Sequence, residues 1–183
     1  QKRIAKPAYV DVSGVCILGT NGVGQSEREG PRSLLTAAGA EVHWVSPGHG
    51  VIRGWSGSDC GQSVQVDHTL ANASEADYDA LVLPGGQINP DLLRVNADAL
   101  ALIKAFYSAG KPIAAVCHAP WLLIEAGLVN NRKMTSYHSI RTDMINAGAK
   151  WADKAVVSAG GIVTSRNPGD PEASPTRIIA EIK

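Results

Sequence analysis

The sequence has no excess of charge of either sign. It contains 17 lysine and arginine residues and 17 aspartate and glutamate residues, so the formal net charge is zero. A strongly basic chain would be attracted to nucleic acids or to anionic membranes by its charge alone. This balance excludes a general electrostatic attraction to either, and we expect the partner to be a small molecule or a protein.

Cysteine is also scarce, with only Cys16, Cys60 and Cys117 in 183 residues. The number is odd and no two are spaced as CxxC, which argues against a disulfide framework and against a zinc site. The histidines are scattered without metal-ligand spacing, so we expect no metal and no cofactor. The pattern fits a reducing, cytoplasmic setting.

Long hydrophobic runs are absent. The longest apolar-rich region, residues 113–129, is interrupted by His118 and Glu125, and the basic residues 1–6 are followed by no signal-type apolar core. We therefore expect no membrane span. The chain begins at Gln1 and not at Met, which is compatible with loss of a preceding segment. Its length suits a single domain, residues 1–183, with a full hydrophobic core.

Strand and helix patterns alternate along the chain. Strands are predicted at residues 14–19, 40–45, 80–83, 113–116, 155–158 and 162–164, with a hairpin or edge excursion within residues 51–67. Helices are predicted at residues 26–38, 89–109 and 139–147 and after the turn at 167–170, with Asn89 as the cap of the second helix and Pro90 in its first turn. Such alternation predicts an α/β fold with a mainly parallel sheet covered by helices on both faces.

Ligands of parallel sheets bind beyond the carboxyl ends of the strands. Three loops are expected to meet there, at residues 19–25, 84–91 and 116–119. The first resembles a phosphate-binding loop, but Gln25 stands where that motif needs the lysine that contacts the phosphates, which argues against a nucleotide site. In the second loop, Gly85 and Gly86 allow the backbone to turn N–H groups inward, as an oxyanion hole requires.

The third loop carries the strongest chemical signal. Residues 113–120 read IAAVCHAP, an apolar run that ends at Cys117 and His118 and continues as a helical pattern. A nucleophile on a sharp strand-to-helix turn needs small residues two positions before and after it, and these are Ala115 and Ala119. A helix that starts just after Cys117 would favour its thiolate. A buried structural cysteine is the alternative interpretation.

Several motifs together resemble one known family. They are LVLPGG at 81–86, KPIAAVCHAP at 111–120, TSY at 135–137, DMINAGA at 143–149 and TSRNPGD at 164–170. These are similar to the PfpI-type intracellular peptidases of the ThiJ/PfpI superfamily. The resemblance implies a flavodoxin-like three-layer sandwich that assembles as a dimer or hexamer, and a peptidase, glyoxalase, deglycase or stress-response role.

The resemblance also implies roles for individual residues. Cys117 would be the nucleophile and His118 its base or orienting group, with the N–H groups of Gly86 and His118 as the oxyanion hole. Asp91 matches a carboxylate that reaches the histidine of a neighbouring subunit, although it lies one residue later in the loop than usual. A place in the first turn of a helix would explain Asp91 equally well. Tyr137 matches a pocket position and would contact substrate or pack.

One departure from the family pattern concerns the loop after the first strand. Family members carry a glutamate that hydrogen-bonds the cysteine sulfur, and the residue here is Gly24. Glu27 matches a second family glutamate and is a poorly aimed substitute. Loss of such a carboxyl would weaken catalysis if it serves as general acid or base. We therefore expect a cysteine-dependent hydrolase or lyase that acts on a small carbonyl compound or a peptide with altered activation; the alternative is a non-catalytic or redox-sensing homologue.

Overall fold

The computed structural model describes residues 14–24, 32–33, 35–37, 39–56 and 59–167. The strands are β1 (Gly14–Leu18), β2 (Val23–Gly24), β3 (Glu41–Ser46), β4 (Val51–Ser56), β5 (Asp59–Gln65), β6 (His68–Thr69), β7 (Ala80–Leu83), β8 (Ile113–Val116), β9 (Lys133–Met134), β10 (Lys150–Trp151), β11 (Val156–Ala159) and β12 (Ile162–Ser165). The α-helices are α1 (Ile88–Leu93), α2 (Ala97–Ser108), α3 (Pro120–Glu125) and α4 (Arg141–Asn146). Single 3-10 turns occur at Leu70–Asn72, Glu75–Asp77 and His138–Ile140.

Seven strands form the main sheet in the order β11-β12-β8-β7-β1-β3-β6. All neighbouring pairs are parallel except β11 and β12, which form an antiparallel hairpin at one edge. From the central β1, the chain builds β3 and β6 on one side and β7, β8 and β12 on the other. The strand order therefore reverses between β1 and β7, and ligand sites in open sheets lie at such a reversal.

Each face of the sheet has its own apolar cluster. One cluster joins the strands to α2, α3 and α4, and it includes Phe106, Leu122 and Met144. The other joins the opposite face to Leu35 and to Ile52 of the β4–β5 hairpin. Residues 32–33 and 35–37 are helical, so both faces carry helical segments. The prediction of a mainly parallel, flavodoxin-like α/β sandwich is confirmed.

The strands were predicted closely. The apolar runs at 80–83 and 113–116 form β7 and β8, and both are completely buried because parallel strands are covered on both faces. The predicted excursion at residues 51–67 is the β4–β5 hairpin, which β2 joins as a third strand. The two-residue strands β2, β6, β9 and β10 were not predicted.

The helix predicted at residues 89–109 is wrong in two respects. It is divided into α1 and α2, and the Asn96 side chain caps α2 by accepting a hydrogen bond from the Ala99 N–H at 3.0 Å. Asn89 does not cap α1, which begins at Ile88. The Asn89 side chain is fully buried and bonds to neighbouring loops instead, and this tertiary role overrides its capping propensity.

Some predictions lie outside the described residues. These are Glu27, most of the first predicted helix and the helix predicted after residue 170. Among the helices of the described ranges, none is long and apolar enough to cross a membrane.

Candidate active site

Two strand ends bring the predicted chemical groups together. Strands β7 and β8 are neighbours, with Leu83 opposite Ala115. The chain therefore leaves the sheet side by side as Pro84–Gly85–Gly86 and as Cys117–His118. The first loop, residues 19–25, also reaches this edge, because the Thr20 N–H donates to the Asn89 side chain, which follows the Gly-Gly turn.

The backbone of Cys117 has a left-handed conformation, with φ of 61°. Only Asn131 shares this feature among the described residues other than glycine. A non-glycine residue in this region costs about 1–2 kcal/mol, and such strain persists only when the surroundings hold it. Ala115 and Ala119 are both fully buried, as the requirement for small neighbours predicts. The turn is therefore a strained elbow of the type that presents a nucleophile.

Two backbone hydrogen bonds hold this elbow. The Cys117 N–H donates to the Ser165 carbonyl at the end of β12, at 2.9 Å. The Cys117 carbonyl accepts from the Tyr137 N–H at 2.8 Å. Because both polar backbone groups of Cys117 are bonded, the strained conformation is fixed from two sides. Helix α3 begins only at Pro120, three residues after the cysteine, and has six residues.

The sulfur and the imidazole are in direct contact. Cys117 Sγ lies 3.2 Å from His118 Nδ1. Cys117 as a whole is only 8% exposed, so the environment of its sulfur is largely shielded from water. A thiol next to an imidazole can transfer its proton to the ring and become the thiolate nucleophile. With His118 as the base, the Cys117 sulfur can therefore form a covalent bond to an electrophilic carbon.

Aromatic rings surround the imidazole of His118. Tyr137 stacks on it with ring centroids 4.8 Å apart, and Trp121 approaches edge-on at 5.3 Å. Burial lowers the pKa of His118 below its ordinary value, and repulsion between its imidazolium and a protonated His138 acts in the same direction. Both effects favour the neutral ring, which can act as a base.

Tyr137 belongs to a segment that is tied to the elbow. The Thr135 N–H donates to Thr164 Oγ1 at 2.9 Å, and Ser136 Oγ donates to the Tyr137 carbonyl at 3.0 Å. Two residues later, Ser139 Oγ lies 3.1 Å from His118 Nε2. Tyr137, predicted as a pocket residue, therefore lies beside the imidazole of His118. The contact between Ser139 and His118 has no signal in the sequence, because the two residues are 21 positions apart.

The predicted oxyanion donors are on the two adjacent turns. Gly86 has φ of 77°, which a glycine adopts readily, and it directly follows the buried Pro84 and Gly85. Within the described ranges, no backbone carbonyl accepts a hydrogen bond from the N–H of Gly86 or of His118. Neither N–H group is thus committed to a backbone carbonyl of the described chain.

Asn89 locks the first two loops together. Its Oδ1 accepts from the Thr20 N–H at 2.7 Å, while its Nδ2 donates to the carbonyls of Pro84 and Gly85 at 3.0 and 3.4 Å. Close packing adds to this contact, because a Cβ atom added to Gly22 would overlap the side chain of Ile88. Sequence reasoning missed this bridge because Asn before Pro is typical of a helix cap.

The remaining predicted residues are placed as follows. Asp91 is exposed in the first turn of α1, and within the described chain no hydrogen bond or ion pair joins it to His118. Gly24 ends β2, directly after Val23, which packs in the same apolar cluster as Cys117. Glu27 lies outside the described residues. No group of three or more histidine, cysteine, aspartate or glutamate residues in the described ranges could hold a metal ion.

Several known proteins are similar to this chain in sequence. A family model described as the DJ-1/PfpI family matches residues 13–181. The protein "Deglycase PfpI" of Pyrococcus furiosus is 45% identical over 140 residues, which are 76% of this chain and 81% of the relative. "General stress protein 18" of Bacillus subtilis is 40% identical over 147 residues, which are 79% of this chain and 83% of the relative.

One solved structure extends the comparison to three dimensions. It is a two-domain protein of Anabaena variabilis with a DJ-1/ThiJ/PfpI-like domain and a ferritin-like domain. The match has a TM-score of 0.85 and 35% identity, and it covers 93% of this chain and 48% of that one. The present chain therefore spans about half the length of that protein.

Proposed function

The chain belongs to the DJ-1/PfpI family, and on that premise we propose that it is a cysteine-dependent hydrolase or lyase of the PfpI type. Its substrate would be a small carbonyl compound such as methylglyoxal, an adduct of it, or a peptide. The observation that carries this proposal is the strained elbow, with Cys117 Sγ 3.2 Å from His118 Nδ1. Strain at a shielded thiol next to a base has no evident structural benefit, and such strain is concentrated at functional sites.

The proposed chemistry begins with transfer of the Cys117 thiol proton to Nδ1 of His118. The sulfur then attacks the carbonyl carbon of the substrate and forms a thiohemiacetal or a tetrahedral intermediate. The carbonyl oxygen gains the negative charge and accepts hydrogen bonds from the N–H groups of Gly86 and His118. The proton on His118 returns to that oxygen or to a leaving group.

We further propose that activation of Cys117 differs from the family pattern. Gly24 has no carboxyl to donate a hydrogen bond to the sulfur, and burial disfavours a positive charge on His118 beside it. Catalysis would then depend more strongly on the base strength of His118, or on Glu27. Reduced turnover relative to family members with the glutamate is the expected consequence.

Self-association would complete the site in this proposal. Asp91 is exposed at the start of α1, where its carboxylate is accessible to the histidine of a second copy. A carboxylate next to an imidazole stabilises the imidazolium. We propose a dimer or hexamer on this basis, and a cytoplasmic location on the basis of the few, unpaired-looking cysteines in the sequence.

Turnover of methylglyoxal and of a peptide by the wild type and Cys117→Ala tests the proposal. Cys16 is a matched control, because burial raises the pKa of its thiol far above the ordinary value and makes it unreactive. We expect Cys117→Ala to abolish turnover and Cys16→Ala to leave it intact. Turnover that survives in Cys117→Ala would contradict the proposed nucleophile. Asp91→Ala should reduce turnover without a change in fold if the neighbouring copy supplies this carboxylate.

A second candidate function is a redox-sensing or stress-response role without turnover. The missing carboxyl at Gly24 favours it, and a relative named as a general stress protein is consistent with it. In this case Cys117 would oxidise reversibly. The pH dependence of Cys117 alkylation and the turnover assay together separate the two. A reactive thiolate near neutral pH without turnover would indicate the sensor, and a midpoint near the ordinary thiol value of about 8.5 would contradict an activated nucleophile.

A further inference from the structure

The two ring nitrogens of His118 have different partners. Nδ1 faces the sulfur of Cys117 at 3.2 Å, and Nε2 lies 3.1 Å from the hydroxyl oxygen of Ser139. Ser139 is exposed and belongs to the 3-10 turn His138–Ile140. A serine hydroxyl both donates and accepts hydrogen bonds, so its role follows from the protonation state that Nδ1 requires.

The number and position of the protons on the ring determine whether Ser139 donates or accepts. A neutral imidazole has one N–H group and one nitrogen with a lone pair. If Nδ1 is to take the proton of the Cys117 thiol, it must carry the lone pair, and the hydrogen must then be on Nε2. Ser139 Oγ is at the right distance to accept from that N–H. After the transfer Nδ1–H donates to the thiolate, and Nε2–H still donates to Ser139, so the contact serves both states.

We propose that Ser139 is a positioning residue that holds His118 in the Nε2–H tautomer, with the lone pair of Nδ1 directed at Cys117. This inference deepens the proposed function and rests on it. Ser139 acts through His118 and does not contact the reacting atoms. In a Cys-His triad the third residue accepts a hydrogen bond from the histidine ring. Ser139 would do the same with a neutral hydroxyl instead of a carboxylate.

The surroundings of Ser139 support this role. The segment from Thr135 to Ser139 is tied to the elbow by the hydrogen bond from the Tyr137 N–H to the Cys117 carbonyl, and Tyr137 also stacks on the imidazole. The position of Ser139 relative to His118 is therefore set by the same contacts that set the elbow. An acceptor held by such a scaffold loses little entropy when it binds the ring.

The titratable groups around His118 are consistent with a neutral ring. They are Cys117, Tyr137 and His138, while Trp121 covers the edge and donates its indole N–H to Asp143 at 2.9 Å. A proton on His138 opposes a second positive charge on His118. Since no carboxylate contacts the ring within the described chain, a hydroxyl acceptor matches the charge of the neutral tautomer.

A carboxylate from a second copy would meet the same nitrogen. Nδ1 is occupied by the sulfur, so Asp91 of a neighbour could approach only the Nε2 side. Nε2 has one hydrogen, and the Ser139 hydroxyl could accept it while donating its own hydrogen to the carboxylate. The inference therefore holds with or without such a contact, provided that Ser139 stays bonded to Nε2.

Nitrogen NMR of His118 tests the tautomer directly. In the Cys117→Ala background the sulfur cannot influence the ring, and the two nitrogens can be observed in uniformly labelled protein at neutral pH. We expect a protonated Nε2 and a bare Nδ1 in Cys117→Ala. The same spectrum is expected in Cys117→Ala/Ser139→Thr, which keeps a hydroxyl. Cys117→Ala/Ser139→Ala should give a tautomer mixture, and an unchanged spectrum in that variant would overturn the inference.

Alkylation of Cys117 by iodoacetamide gives a second readout in the intact thiol protein. Loss of one hydrogen bond predicts that Ser139→Ala slows alkylation at neutral pH by about two- to tenfold, and that the midpoint of the pH profile moves up. Ser139→Thr should restore the rate. Ser108→Ala is the matched control, an exposed serine at the end of α2 that should have no effect. A rate unchanged in Ser139→Ala would contradict the positioning role.

Neither readout requires turnover. If both effects of Ser139→Ala are observed while methylglyoxal and peptides are not consumed, the enzymatic proposal fails and the positioning of His118 stands. If turnover is observed and Ser139→Ala changes neither the tautomer nor the alkylation rate, the inference about Ser139 fails alone. The two claims are therefore separable.

Discussion

Replacement of Asn89 tests how the site loops are held. Asn89→Ala removes three hydrogen bonds, to the Thr20 N–H and to the carbonyls of Pro84 and Gly85. At about 1 kcal/mol of net stabilisation for each, the loss is about 3 kcal/mol. The side chain is fully buried, so water cannot enter without rearrangement of the loops. We therefore expect the free energy of unfolding to fall by about 2–4 kcal/mol, which is large relative to the stability of a typical domain.

Asn89→Asp makes the same test more specific. The carboxylate keeps the acceptor for the Thr20 N–H, but it places a negative oxygen where the amide nitrogen donated to Pro84 at 3.0 Å. Protonation of the carboxyl would restore that donor. The pKa of the introduced acid should therefore be raised in the folded state. The loss of unfolding free energy relative to wild type should then be smaller at about pH 5 than at about pH 7.

Urea denaturation at the two pH values measures both effects. Asn146→Ala is the control, because Asn146 is exposed at the end of α4 and its replacement should change stability by less than about 0.5 kcal/mol. If Asn89→Ala is no less stable than this control, Asn89 does not hold the loops as argued. If Asn89→Asp lowers the free energy of unfolding by the same amount at both pH values, the Asn89 amide nitrogen is not the donor to the Pro84 carbonyl.

Two further predictions concern the chemistry of the site. If the missing carboxyl limits activity, Gly24→Glu should raise the turnover of methylglyoxal or a peptide by about 10- to 100-fold. Gly48→Glu is the control and should not raise it, because Gly48 is exposed and an added Cβ would meet nothing within 4 Å. Equal rates in both variants would show that another group has replaced the carboxyl. His118 has a lowered pKa, so below its ordinary value of 6.5 the unfolded state binds more protons than the folded state. Wild-type stability to urea should therefore fall as the pH drops below 6.5, and His118→Gln should remove part of this fall; identical pH profiles would contradict a shifted pKa.

The sequence alone determined the order of the longer strands along the chain and the position of the elbow at Cys117. Buried parallel strands are continuous apolar runs, which is why residues 80–83 and 113–116 were identified to the residue. The small residues around Cys117 indicated the elbow, because a strained turn tolerates no bulky side chain there. These are local requirements, and local sequence expresses them.

The partners of buried polar groups were decided only by the tertiary structure. Asn89 has the sequence context of a helix cap, but the approach of the first loop places the Thr20 N–H next to its side chain, and the helix begins at Ile88 instead. Ser139 lies 21 residues from His118 along the chain, and the turn at its own position brings the hydroxyl to Nε2. Hydrogen bonds between distant segments depend on how the loops pack around the sheet, and no local pattern encodes that packing.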